Sequence, residues 1–468
     1  MAGAGLAAIG VGTESPAMVA AATLAIALGF VCADLALLRD RQVGPITLYA
    51  VGAAVLSFAD VVGFRAQYTD RRPLYFLYAV DEYLLMAALM SLAGLVLTVL
   101  GFWMIGRNRA VWGYLDLLPR VHGRIPDDMF VRWGGVLAAT AVLVHAFVPL
   151  PSLGTLTSVI FLLPNLFVFA LARIGAERRV LYALPIALAV ALLESARAVW
   201  QSYLRIEMVF PLLAFVFGLM LGSRSLKALR RPVMLPIYIL GAMFVMYFGA
   251  FGVVRTQAGG VQRILAAHEF EQAAALESEA VIQQQQQTVL SRLTTFNHLS
   301  QIGYLAERDG YLEGATLEYL GYAFIPRFIW PEKPRIAKGA WFALEIGQAH
   351  VRSDGSITNS VAMSIPGELY LNFGWVGVAI GCLLYGALLA VFWTRTDFWR
   401  DGRNALGSMF GFYLLWIGFG LGADLQIVVT VTAVYLVFVT AGIIWRTWIQ
   451  GGRSVPLTAS APLRIRVQ

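Results

Sequence analysis

The chain has 468 residues; 59% are hydrophobic types and only 13% are charged, about half the charge content of an ordinary soluble domain. Forty-five glycines and a mean hydropathy of +0.70 point the same way, which excludes a soluble globular enzyme, a disordered chain, a collagen and a disulfide scaffold. What is left is an all-α, polytopic integral membrane protein, and its formal charge of +7 has to be read against the bilayer before it is read as affinity for nucleic acid.

In chain order, apolar stretches of spanning length occur near 16–38, 43–63, 82–106, 133–150, 153–172, 180–200, 206–222, 232–254, 366–394, 404–423 and 426–448, eleven in all. The first basic residue is Arg39, so the first stretch lacks the positive lead-in of a cleaved signal peptide and reads as a retained helix. Counting Lys and Arg in the short loops and tail puts 21 on one side. The other side holds four, Arg65, Arg71, Arg72 and Arg205. The positive-inside rule makes the richer side cytoplasmic. Residues 1–254 are then a bundle of eight helices, 255–365 a large and mostly helical outer loop, 366–449 helices nine to eleven, and 450–468 a cytoplasmic tail. Cys32 and Cys382 both lie in apolar runs, away from any metal-ligand spacing.

The 111-residue insert is too long for a structureless loop in a compact protein. Its first part, 261–296, is rich in Ala, Glu, Gln and Leu, lacks Pro and reads as a helix, with a five-glutamine run at 283–287. From 264 to 324 it carries eight acidic and two basic residues. From 325 to 352 the balance reverses, with Arg327, Lys333, Arg335, Lys338 and Arg352 against Glu332 and Glu345. Tyr319, Tyr322, Phe324, Phe328, Trp330 and Trp341 crowd the boundary. Cations with amphipathic rings suit a membrane interface and equally a ligand that is part sugar and part phosphate.

Ionisable residues inside apolar spans are functional candidates by default. Here they are Asp34, Asp60, Glu194, Arg197, Glu368 and Asp424. At 1.5 Å per residue Arg197 lies roughly 26 Å from the cytoplasmic start of its helix, near the outer face. Glu194, three positions earlier, is placed to pair with it. Arg255, Glu368 and Asp424 also fall at outer ends of spans on this topology.

Two elements carry a family likeness. Ile325-Pro326-Arg327-Phe328-Ile329-Trp330-Pro331-Glu332-Lys333-Pro334 closes the insert, and Gly367-Glu368-Leu369-Tyr370-Leu371-Asn372-Phe373-Gly374-Trp375-Val376-Gly377 opens the next span. Together with Ser195-Ala196-Arg197 they resemble the bacterial O-antigen and exopolysaccharide repeat-unit polymerases, the Wzy-like family, over roughly 180–448. The long acidic segment at 261–296 departs from that pattern. The resemblance implies multi-pass residence in the bacterial inner membrane with a periplasmic loop. It also implies joining of oligosaccharide repeat units carried on undecaprenyl diphosphate, without nucleotide sugar and without nucleic acid. A chain-length regulator is a candidate partner.

In such a reaction negative charge grows on the departing diphosphate and has to be met by a metal or by cations. Asp127-Asp128, the adjacent acidic pair outside the insert, falls on the cytoplasmic side, so cations are expected in place of a metal or other cofactor. Arg197 and Arg327 are the leading candidates, with Arg255, Lys333, Lys338 and Arg352 beside them. Glu368 is the expected proton acceptor, with Tyr370 and Asn372 close in sequence. His298 and His350 are the next residues suited to proton transfer or substrate binding. An O-antigen ligase and a transporter or flippase of lipid-linked glycans stay open as alternatives. No convincing repeat relates the two halves, as transporters often show.

Overall fold

The computed structural model describes residues 12, 14–37, 44–65, 79–107, 118–121, 123, 125–147, 155–178, 180, 182–201, 205–223, 235, 239, 294–323, 325, 329–334, 337–351, 355, 357, 360–396, 398, 404–419 and 424–449. Among them regular structure is helical, apart from isolated bridge residues, Val351 antiparallel to Ile357 and Asn404. The helices are α1 (Pro16–Leu37), α2 (Pro45–Arg65), α3 (Leu84–Arg107, entered through a 3₁₀ turn at Asp81–Tyr83), α4 (Asp127–Phe147), α5 (Thr155–Glu177), α6 (Ala183–Gln201) and α7 (Arg205–Ser223). The insert contributes α8 (Phe296–Asp309), α9 (Tyr319–Tyr322) and α10 (Lys338–Glu345). They are followed by α11 (Ile365–Thr394), α12 (Ala405–Phe419) and α13 (Gln426–Ile444), the last running into a π turn at Trp445–Ile449.

Ten of the eleven predicted apolar stretches are thus helices among the described residues, and 232–254 lies almost wholly outside them. Among the described residues, five segments are long and apolar enough to cross a membrane: Pro16–Ala33, Pro45–Phe64, Asp81–Ile105, Ile365–Thr394 and Gln426–Thr447. Shorter apolar helices cover Val209–Ser223 and Ala405–Ile417. The spanning segments are apolar on all sides, as expected of helices that meet protein on one face and lipid on the other. Pro16 and Pro45 open their helices, where the missing N–H has no intrahelical partner to lose.

Small residues set the closest helix contacts. Gly101 of α3 faces the Leu383 carbonyl of α11, and Gly386 of α11 faces the Thr98 carbonyl of α3. Gly218 and Gly222 of α7 sit in the same way on the Phe169 and Arg173 carbonyls of α5. A Cβ at any of these positions would push the backbones apart, and such close approach is what holds helices together in lipid. Around these two pairs α1 packs on α2 and α3, α6 on α4, α5 and α7, and α12 on α2 and α5.

Two cations counted as orientation signals turn out to be buried inside the protein. Arg173 is buried, donating to Ser408 Oγ at 3.0 Å and to the Phe398 carbonyl at 2.9 Å. Arg395 is 1% exposed. The Arg173 guanidinium ties α5 to Ser408 of α12 and to the Phe398 backbone.

The predicted single span at 366–394 is broken. Gly374 has φ 62° and ψ −150° in the middle of α11. Leu369 then lies against Gly377 and Gly381, so the first nine residues fold back along the helix that follows them. The carbonyls exposed by the break are taken up from the insert: Leu312 N donates to Leu371 O at 3.0 Å and Glu313 N to Asn372 O at 3.1 Å. Unbroken, 30 residues would measure about 45 Å, well beyond the hydrocarbon thickness of about 30 Å. The residues after the break, 375–394, at about 30 Å are by themselves long enough to cross it.

Of the predicted helix 261–296 only its last three residues are described, and Phe296 is there the first residue of α8. α8 begins on a buried anchor. Asp60, inside α2 and 1% exposed, accepts from the Thr294 hydroxyl, from Thr295 N at 3.2 Å and from Thr295 Oγ1 at 3.0 Å. The charge placed at membrane depth by the sequence therefore serves to moor the insert. α8 packs on α3 and α11, burying Phe296, Leu299, Ile302 and Leu305.

Candidate functional site

Ser364 adopts φ 62° and caps α11, its Oγ accepting from Gly367 N at 3.3 Å, with Pro366 in the first turn. This cap sets Glu368 in the first turn of α11, 0% exposed. Lys338, the first residue of α10, reaches it from the insert: Nζ donates to Glu368 Oε1 at 2.7 Å and to Oε2 at 2.8 Å. Thr316 Oγ1 donates to Oε1 at 3.2 Å and Leu425 N to Oε2 at 2.8 Å. Each carboxylate oxygen thus has two donors, which is what a sealed charge requires.

The same ammonium donates to Tyr319 OH at 2.9 Å and sits 4.4 Å from the centre of that ring. It lies 3.4 Å from Asp424 Oδ1. Asp424 lies two residues before α13, and its Oδ1 also accepts from Gln426 N at 3.0 Å. Burial first, and then the charges of Glu368 and Asp424, push the Tyr319 phenol far above its ordinary value, so it remains a neutral hydroxyl. Asn372, one turn after Glu368, donates to the Glu368 carbonyl and to Thr316 Oγ1, both at 2.7 Å, and accepts from Gly314 N at 3.1 Å. It locks the Thr316 turn against the broken helix. Four parts of the chain (α9 with the turn before it, α10, α11 and the start of α13) therefore meet at one ammonium and two carboxylates.

Beside this centre is a cavity of about 380 Å³, lined by Ala337, Lys338, Gly339, Ala340, Ser360, Val361, Ala362, Asp424 and Gln426. Lys338 and Asp424 open onto it, whereas Glu368 lies behind them.

The remaining predicted residues are placed as follows. The Lys333 ammonium turns inward, donating to the Ala323 and Ile325 carbonyls at 2.9 Å each and lying 5.7 Å from the Tyr322 ring. Its N–H donates to the Trp330 carbonyl at 3.1 Å, so the Trp330-Pro331 corner is a tight turn. The expectation that Lys333 presents its charge to a phosphate gives way to a brace of the insert. Arg197 makes the predicted pair with Glu194, through Nε at 3.0 Å and Nη2 at 2.8 Å. It does so on α6, which packs on α4, α5 and α7. The Glu368 centre is built by other elements. Tyr370 is buried edge-on to Tyr311 and Trp375, with ring centres 5.9 and 5.3 Å away. His298 is half-buried on α8 and His350 is exposed beyond α10. Arg255, Arg327 and Arg352 lie outside the described residues. Of the acidic pair, Asp127 accepts from Arg178 and Asp128 from Tyr182, each at 3.3 Å.

Thr316, Tyr319 and the Leu425 amide complete the centre without having been singled out. Only Tyr319 left a trace, as one of the aromatics at the charge boundary. Comparison with protein-family models, with curated proteins and with solved structures returned no match.

Proposed function

We propose that this protein polymerises oligosaccharide repeat units carried on undecaprenyl diphosphate, at the periplasmic face of a bacterial inner membrane. With this reading go eleven spans, an outer insert at 255–365 and a cytoplasmic C-terminus, as the charge asymmetry of the loops favours. The observation that carries it is the meeting of a cation of the insert, Lys338, with the Glu368 carboxylate of the family-like helix element and with Asp424, at the edge of a cavity. Glycosyl transfer from a lipid diphosphate needs three things: a place for the acceptor hydroxyl, a group to take its proton, and cations for the departing diphosphate.

In this reading Glu368 positions Lys338 and the start of α13 and does not take the proton itself, because four hydrogen bonds from three donor groups already occupy its oxygens. The diphosphate falls to arginines, for which Arg255, Arg327 and Arg352 are the sequence candidates, with Arg197, paired to Glu194 on α6, as a further one. The test is the full-length protein in liposomes with a purified lipid-linked repeat unit and no nucleotide sugar. A ladder of products spaced by one repeat unit is expected. Intact donor with no ladder sinks the reading, and transfer of finished glycan onto a lipid A core acceptor replaces it with the ligase.

A further inference from the structure

We propose that the cavity beside Lys338 seats the hydroxyl-bearing sugar end of the acceptor and excludes the diphosphate, and that Asp424 takes the acceptor's proton. This rests on the polymerase reading.

Charge is the first argument. Among the described residues the centre holds one ammonium against two carboxylates, with Lys338 already bound to both oxygens of Glu368 and 3.4 Å from Asp424. A centre one negative charge in excess repels a diphosphate, while a neutral polyhydroxylated ring meets donors and acceptors there at no such cost. The cavity wall is the second argument. Gly339, Ala340 and Ala362 give a smooth surface, Ser360 and Gln426 add a hydroxyl and an amide, and about 380 Å³ lies within the range of small-molecule sites. A side chain at Gly339 would collide with Ser360 Oγ, so the wall depends on that glycine.

The third argument selects the base. Glu368 is fully buried with both oxygens occupied. Asp424 is 17% exposed and lines the cavity. Its Oδ1 is held by Gln426 N and faces Lys338, and its Oδ2 has no hydrogen bond among the described residues. In the step that follows, the acceptor oxygen bonds to the anomeric carbon of the donor. The bond from that carbon to the diphosphate oxygen breaks, its electron pair leaves with undecaprenyl diphosphate, and the hydroxyl proton passes to Asp424 Oδ2.

The experiment uses the full-length protein in liposomes, with Cys32→Ser to remove the exposed thiol and Ala362→Cys as the reporter. Labelling rates of cationic and anionic methanethiosulfonates, each normalised to its rate with a free thiol, report the charge of the cavity. The cationic reagent should react about tenfold faster or more, most of that preference should vanish with Asp424→Asn, and inorganic pyrophosphate should not slow either reagent. Equal rates, a faster anionic reagent or protection by pyrophosphate would overturn the proposal. In the reconstituted reaction Asp424→Asn should lower kcat by about 10²-fold or more with the donor KM unchanged. Absence of a ladder from the wild type sinks the polymerase reading; a wild-type ladder with full-rate Asp424→Asn sinks this inference alone.

Discussion

Lys338 has three protons and four acceptors around it: two oxygens of Glu368, the Tyr319 hydroxyl and, more distantly, Asp424. Removing the cation leaves the fully buried Glu368 carboxylate without its counter-charge and beside a second carboxylate, Asp424. Lys338→Met should therefore cost about 3–5 kcal/mol, the range for breaking a buried pair. Glu368→Gln should cost less, because Asp424 still faces the ammonium, and the double variant should recover part of the Lys338→Met loss. Equilibrium unfolding in detergent would show this, and strictly additive losses would contradict the shared ammonium. Tyr319 provides a pH signature. Its folded phenol holds its proton well above the ordinary value of about 10, so above that pH the unfolded chain loses a proton that the native state keeps. Stability is fully present below about pH 10 and falls as the pH rises beyond it. Tyr319→Phe should flatten that alkaline limb of a thermal-melt series.

At the scale of elements, α11 and α8 are where local pattern and final shape part company. Hydropathy makes 366–394 one apolar run, and nothing in its periodicity marks the turn at Gly374. The turn exists because amides from 312–314 are available for the carbonyls and the Asn372 side chain at its edge, contacts between segments some 60 residues apart. Gly374→Ala should lower stability by about 1–3 kcal/mol, the usual strain of such backbone, because its Cβ would also strike the Tyr311 ring. An unchanged melting temperature would mean the break is not needed. Asp60 makes the complementary point. Its position in a span marked it as significant, but its partners, Thr294 and Thr295, stand more than 230 residues on. Asp60→Ala leaves the buried Thr294 hydroxyl and the half-buried Thr295 hydroxyl without this acceptor, at about 1–3 kcal/mol. It should raise hydrogen exchange across 296–309 selectively, whereas Asp60→Asn, which keeps an acceptor, should do so less. Equal exchange in both variants and the wild type would show that α8 is moored by its apolar face alone.

For the whole molecule, the sequence count of 21 to four, which stays lopsided without the buried Arg173 and Arg395, predicts residue 285 outside and residue 460 inside. Reporter fusions or cysteine accessibility at the two sites would test it, and a common side would refute it. If the polymerase proposal holds, with cations meeting the diphosphate, chain extension should persist in excess EDTA; loss restored by magnesium would reassign that role to a metal. Composition alone determined that the chain is a helical membrane protein, since 13% charge leaves too little polar surface for water. Spacing and hydropathy marked ten helices that the structure describes and the insert between the apolar blocks. They also picked out Glu368, Asp60 and the Glu194–Arg197 pair, because an ionisable residue in an apolar run stands out and i,i+3 neighbours share a helix face. The tertiary structure alone decided that Lys338 belongs to Glu368, that Lys333 faces inward, that α11 turns back at Gly374 and that Asp424 faces the cavity. Each of these depends on which distant segment supplies the missing donor or acceptor, and hydrogen-bond partners remote along the chain leave no periodicity in it.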